Sequence, residues 1–164
     1  MRAIHVSRQD IERFEPPEPC LIISVVDPLY PEAAIEPNQR VVGIHRVNPF
    51  HDIDNLPDGE VSVGIAPGHT RPKPEQYVLF DRERAKKIAE FVYSSPKVRL
   101  IVAHCEAGIS RSAGIAAALQ DHFYMDQHPG AFQTGIPNKL VYRLLFEELY
   151  RYREALIFAK VKPS

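Results

Sequence analysis

The sequence has only two cysteines, Cys20 and Cys105, and no tryptophan. Two thiols cannot build a disulfide framework, and so sparing a use of cysteine favours a reducing compartment, the cytoplasm. No window approaches the ~18 consecutive apolar residues of a transmembrane helix. The opening stretch, MRAIHVSRQDIERF, lacks the apolar core of a signal peptide. A formal net charge of −1 advertises neither a nucleic-acid surface nor a binder of polyanions. There is no internal repeat and no long low-complexity tract. Membrane and nucleic acid are therefore not expected as partners.

What remains is an ordinary globular composition, 45% hydrophobic and 25% charged over 164 residues. That length fits a single domain spanning residues 1–164 that can bury a core. Charge is uneven along it: residues 1–60 hold 11 acids against 5 bases, and residues 61–99 hold 8 bases against 4 acids. Most such asymmetry is solvated surface. The 15 prolines cluster in EPPEP (15–19) and PGHTRPKP (67–74), which read as connectors within the domain.

CLIISVV (20–26) is a continuous apolar run rich in Ile and Val, ended by Asp27-Pro28, and reads as a buried strand followed by a turn. VVGIHRVNPF (41–50) and VRLIVAHC (98–105) are two further strands, and VSVGIA (61–66) is a weaker edge candidate because Gly64 interrupts it. Between strands the period becomes helical. Asp81 caps a helix running through residue 93, with Ala85, Ile88, Ala89 and Val92 on one face. SAGIAAALQDHF (112–123) is helical despite Gly114. Asn138, after Pro137, caps a long helix with Leu140, Leu144, Leu145 and Leu149 turned inward, and Ser7 caps a short one at 8–14. Strands alternating with helices predict an α/β sandwich around a mostly parallel central sheet.

HCEAGISRS (104–112) then joins a buried strand to a helix, where functional loops of open α/β sheets lie. The helix start offers unpaired N–H groups, and a glycine turn can aim more of them inward as an anion nest. Gly108 supplies the turn, and Arg111 adds a planar fork that grips two phosphate oxygens. Cys105 at the base of this bowl is placed to attack a bound phosphorus as thiolate, giving a phosphocysteine. Ser112 can donate to the sulfur when it leaves, and His104 is expected to orient the loop backbone. A metal site from His104, Cys105, His122 and His128 is disfavoured, because no CxxC-type pair exists. His122 and His128 read as ordinary polar positions. Cys20 reads as core, with a redox partnership with Cys105 left open.

Cys-x5-Arg-Ser preceded by His resembles the signature loop of the cysteine-dependent protein tyrosine phosphatase superfamily, and HCEAGISRS is most similar to its compact, dual-specificity-like bacterial members. The strong match covers residues 98–124, and a looser one extends from 20 to 150. The resemblance implies a protein tyrosine phosphatase-like fold, Cys105 as nucleophile, Arg111 on the phosphate, and a cradle from the backbone of Glu106, Ala107, Gly108, Ile109 and Ser110. It implies an aspartic general acid on a loop after an upstream strand. The Trp-Pro-Asp motif of the tyrosine-specific branch is absent. NPFHDIDNLPDGE (48–60) offers Asp52, Asp54 and Asp58, and Asp52 is preferred because it lies nearest the strand end. Relatives acting on inositol phospholipids tend to carry basic residues in this loop. The acidic Glu106 argues against such polyanions and for a phosphorylated protein or small phosphomonoester. His69, Arg71 and Lys73 are candidate rim contacts. The reading calls for no metal and no cofactor, because Arg111 and the amides supply positive charge, and a monomer is expected. Two rivals stand beside it, a catalytically inactive phosphate-binding pseudophosphatase and a rhodanese-type sulfurtransferase. A low-molecular-weight phosphatase is disfavoured, since that branch carries its cysteine near the N-terminus.

Overall fold

The computed structural model describes residues 1–53, 77–124 and 136–161. Four strands, β1 (Arg2–Ser7), β2 (Cys20–Ser24), β3 (Val41–Arg46) and β4 (Leu100–Cys105), form one sheet in the order β1-β4-β2-β3. Every pairing is parallel, so the expected α/β architecture with a parallel sheet is present. The central strands β2 and β4 are buried at every position. Both of their faces are covered, which is why each reads as an unbroken apolar run rather than an alternation. The edge strand β1 was not anticipated. RAIHVS is only partly buried beyond Ala3, and its two histidine- and serine-bearing positions mask the strand pattern.

One face of the sheet packs against α2 (Arg82–Tyr93), α3 (Arg111–Tyr124) and α4 (Lys139–Val161). Asp81 caps α2 by accepting from the Arg84 amide at 2.9 Å, and Ala85, Ile88, Ala89 and Val92 are its buried residues, as the periodicity predicts. Burying Ile88 or Val92 contributes roughly 1.5–3 kcal/mol over exposure. The surface pair Lys87–Glu83 on the same helix contributes only about 0.3–0.5 kcal/mol. In α4, Val141 joins Leu145 and Leu149 in the core, while Leu140 and Leu144 pack at its margin. Among the described residues the other face carries no long helix. It is covered by α1 (Arg8–Ile11), capped by Ser7 but shorter than expected, together with Phe14, Ala33 and Ile35. No helix among the described residues is long and apolar enough to cross a membrane.

The sheet separates the two cysteines. Cys20 starts β2 opposite Leu100 and belongs to the core of the second face, whereas Cys105 ends β4 in the core of the helical face. Five residues of strand, at ~3.3 Å each, lie between their levels, far beyond disulfide reach. Burial, with a smaller contribution from Glu18, pushes the Cys20 thiol up. The redox partnership is therefore excluded by geometry. His122 also departs from expectation. It is buried and shares a 2.5 Å hydrogen bond with the Tyr93 hydroxyl. Burial first, then the charge of Arg153, pushes its pKa down to about 4. It is a neutral core histidine within an aromatic cluster rather than an ordinary polar position. The expected edge strand 61–66, Asp54, Asp58, His69, Arg71, Lys73 and His128 lie outside the described residues.

Candidate active site

Adjacent β4 and β2 end at one level, and their carboxyl ends deliver the candidate residues. From β4 come His104 and Cys105, followed by loop 106–110 and then Arg111 at the start of α3. Just beyond β2 comes Asp27. Four of the loop's five carbonyls, those of Glu106, Gly108, Ile109 and Ser110, are turned to partners outside it. Glu106 accepts from the Arg8 amide (3.1 Å), Ile109 from the Ile136 amide (3.1 Å), and Ser110 from the amides of Gly114 (2.8 Å) and Asn138 (3.0 Å). The Gly108 carbonyl accepts from His5 Nδ1 at 2.7 Å. No backbone carbonyl among the described residues accepts from the amides of 106–110. A loop with its carbonyls anchored outward and its amides without backbone partners has the arrangement of an anion nest.

Gly108 makes that turn at φ 71°, the only positive φ among the described residues. A Cβ there would stand 2.5 Å from the Ser7 nitrogen and 2.6 Å from the Val6 carbonyl carbon, both backbone atoms of β1. Gly108→Ala therefore meets two separate costs, an unfavourable backbone and a collision with a strand that cannot yield. A urea titration should show a loss of roughly 2–6 kcal/mol, strain and overpacking together. Full retention of stability would show that β1 does not back the loop.

Arg111 is buried, and its guanidinium is shared out unequally. Nη1 donates to Asp27 Oδ1 (3.1 Å) and to the Phe50 carbonyl (2.9 Å), and Nη2 donates to Asp27 Oδ2 (3.0 Å). Its carbon stands 5.8 Å from the Phe50 ring centroid. This end-on pairing consumes three of the five N–H donors of an arginine. Nε is buried and has no partner among the described residues. It and the second Nη2 hydrogen lie on one edge of the plane, the edge that grips an oxyanion with two parallel bonds. Burial opposes the charge, but the carboxylate of Asp27, the Cys105 sulfur and Asp52 outweigh it, so the pKa of Arg111 is raised.

Cys105 Sγ lies 3.1 Å from Ser112 Oγ, the relation expected of a hydroxyl that stabilises a sulfur anion. His104 shares a 2.7 Å hydrogen bond through Nε2 with Ser24 Oγ at the end of β2. Burial, then the charge of Arg8, pushes its pKa down to about 4, with a smaller opposing contribution from the Cys105 backbone. His104 is thus a neutral brace between two strand ends, and its role is to hold the strand from which the loop springs.

Asp52 reaches the loop. Its Oδ1 accepts from Ser110 Oγ at 2.7 Å and from Asn138 Nδ2 at 2.9 Å. Its segment is fixed by Arg84, which donates to the carbonyls of Asn48 (2.8 Å) and Pro49 (3.1 Å), and by the exchange of hydrogen bonds between His51 and Val78. Cys105, Arg111, Ser112, Ser110 and Asp52 are therefore brought to one place. Glu106 is tied by an ion pair with Arg8 at 3.0 Å, so the charge expected to repel polyanions is compensated inside the protein. Asp27 was read only as a turn residue, and Arg8, His5 and Ser24 carried no signal. Asp27 was findable in one respect: it follows the carboxyl end of a buried strand, where α/β sheets place their sites. Among the described residues no group of three His, Cys, Asp or Glu side chains could hold a metal ion. No model of a known protein family matches the chain, and a search of curated protein sequences gives no match.

Proposed function

We propose that this chain is a cysteine-dependent phosphomonoester hydrolase of the protein tyrosine phosphatase type, acting on a phosphorylated protein or a small phosphomonoester. One observation carries the reading: the unspent Nε edge of buried Arg111, beside Cys105 and a loop whose amides donate to no described backbone carbonyl. Three phosphoryl oxygens would take donors from Arg111 and the loop amides, a preorganised positive site for the charge that spreads in transit. The Cys105 thiolate attacks phosphorus, the S–P bond forms, and the P–O bond to the leaving group breaks. Asp52 gives its proton to the departing oxygen. The same carboxylate then takes a proton from water, whose oxygen attacks the phosphocysteine. Phosphate leaves, and the Ser112 hydroxyl stabilises the returning thiolate. The test is hydrolysis of p-nitrophenyl phosphate with a phosphocysteine trapped by rapid acid quench. Formation of a Cys105 persulfide from thiosulfate, with sulfite released and no phosphate turnover, would instead mark a sulfurtransferase.

The acid has its own signature. Asp52→Asn should cut kcat by roughly 10²–10⁴, the usual worth of general acid catalysis. The loss should be larger for an alkyl phosphate than for an aryl phosphate, whose leaving group needs less protonation. The alkaline limb of the pH–rate profile, which reports loss of the acid's proton, should flatten. An unchanged limb in Asp52→Asn would move the role to another carboxylate of segment 48–60.

A further inference from the structure

The start of α4 lies against the loop because α3 has no side chain where the two meet. A Cβ on Gly114 would stand 2.7 Å from the Asn138 carbonyl oxygen and 3.3 Å from its nitrogen. The Asn138 amide donates to the Ser110 carbonyl, and two residues earlier the Ile136 amide donates to Ile109. The Asn138 side chain is 1% exposed, and both ends of its carboxamide are used. Oδ1 accepts from the Val141 amide at 3.0 Å and caps α4, which forces Nδ2 to the other side. There it donates to Asp52 Oδ1, across 86 residues of sequence. Ser110 Oγ donates to the same oxygen.

We propose that Asn138 is a positioning residue for the acid: with Ser110 it occupies Oδ1 of Asp52, so that the exchangeable proton is carried on Oδ2. This rests on the reading of Asp52 as the proton donor. An oxygen already facing two N–H and O–H donors cannot also carry a hydrogen without displacing one of them. No described residue donates to Oδ2. The carboxyl group is therefore held in one rotamer with its two oxygens made unequal, before any substrate arrives. Positioning of this kind lowers the barrier for proton transfer without adding a contact to the substrate.

Capping and positioning can be separated by mutation. Asn138→Ser keeps a good helix cap but cannot reach Asp52, and Asn138→Asp keeps the cap and replaces the donor with an acceptor. Both should leave KM unchanged, and both should lower Tm measurably without unfolding the protein, because the cap is kept while the buried bond to Asp52 is lost. Both should lower kcat for a phosphoserine peptide by roughly 10–100-fold, part of what a general acid supplies, and for p-nitrophenyl phosphate by no more than about threefold. In an Asp52→Asn background Asn138→Ser should cost nothing further. Equal losses on both esters, or a full additional loss in that background, would overturn the proposal. If the wild-type chain hydrolyses neither ester, the phosphatase reading fails by itself. The contact is then judged by Tm: losses in Asn138→Ser and Asp52→Ala that are less than additive in the double variant support it, and strict additivity overturns it.

Discussion

Cys105→Ser is expected to reduce phosphate ester turnover to the uncatalysed background while the protein stays folded and still binds inorganic phosphate. The substitution exchanges one atom, the one that acts as nucleophile in the proposed mechanism. A serine hydroxyl is not ionised near neutral pH, and Cys105 has Ser112 rather than a general base within hydrogen-bond reach. Nothing would withdraw the proton. The rest of the anion site does not depend on sulfur. The loop carbonyls remain tied to Arg8, His5, Ile136, Gly114 and Asn138, and Arg111 remains paired with Asp27. Near-ultraviolet circular dichroism should therefore be unchanged, and phosphate-line broadening in ³¹P spectra should persist. Turnover by the serine variant at a substantial fraction of the wild-type rate would end the proposal of a phosphocysteine pathway. Loss of phosphate binding along with turnover would show that the sulfur shapes the site as well as reacting in it.

The second large effect concerns geometry rather than charge. Arg111→Lys keeps a cation but reduces a planar fork to a single ammonium. Two things are lost together. The end-on pairing with Asp27 becomes at most a single contact, and the Nε edge disappears. Removing one preorganised donor from an oxyanion site costs about 10²–10³ in kcat, so losing two parallel donors should cost at least that much. The loss should fall mainly on kcat, since the two-pronged contact matters most as the phosphoryl group flattens. A lysine variant within threefold of wild type would reduce Arg111 to a diffuse positive charge. A companion loss of stability is expected as well, because Asp27 and the Phe50 carbonyl would each lose a buried partner.

Where one residue's neighbours in sequence are also its neighbours in space, the sequence was readable. The cap and buried face of α2, the strand-loop-helix passage through Cys105, and the cap of α4 at Asn138 are all of this local kind. Their signals are periodicities and capping positions within a dozen residues. Contacts made across the sheet were opaque. Asp27 meets Arg111 across 84 positions, and Ser24 meets His104 across 80. Those pairings follow from the strand order β1-β4-β2-β3, which no local pattern encodes. Asn138 shows both sides of the divide. Its Oδ1 does what a cap does and was foreseen, while its Nδ2 acts on a residue 86 positions away and was not. The ion pair of Glu106 with Arg8, 98 positions away at the end of neighbouring β1, was equally hidden.

The pairing of β1 with β4 also sets an order of assembly. Ser7 lies beside Cys105, and Ser7 and Val6 form the wall against Gly108, yet they are made almost a hundred residues before the loop they support. At about 5–20 residues per second, β1 waits on the order of 5–20 s during synthesis for the strand it must join. Joining it closes a long loop, which slows folding relative to local contacts. Asp52 waits across 86 residues, a shorter span than that of β1, but its wait ends later, because Asn138 emerges after the loop itself. A nascent chain paused just beyond α3 therefore holds the thiol, the guanidinium and the glycine turn, but lacks Ile136 and Asn138, which anchor two of the loop's carbonyls, and with Asn138 one of the two donors to Asp52.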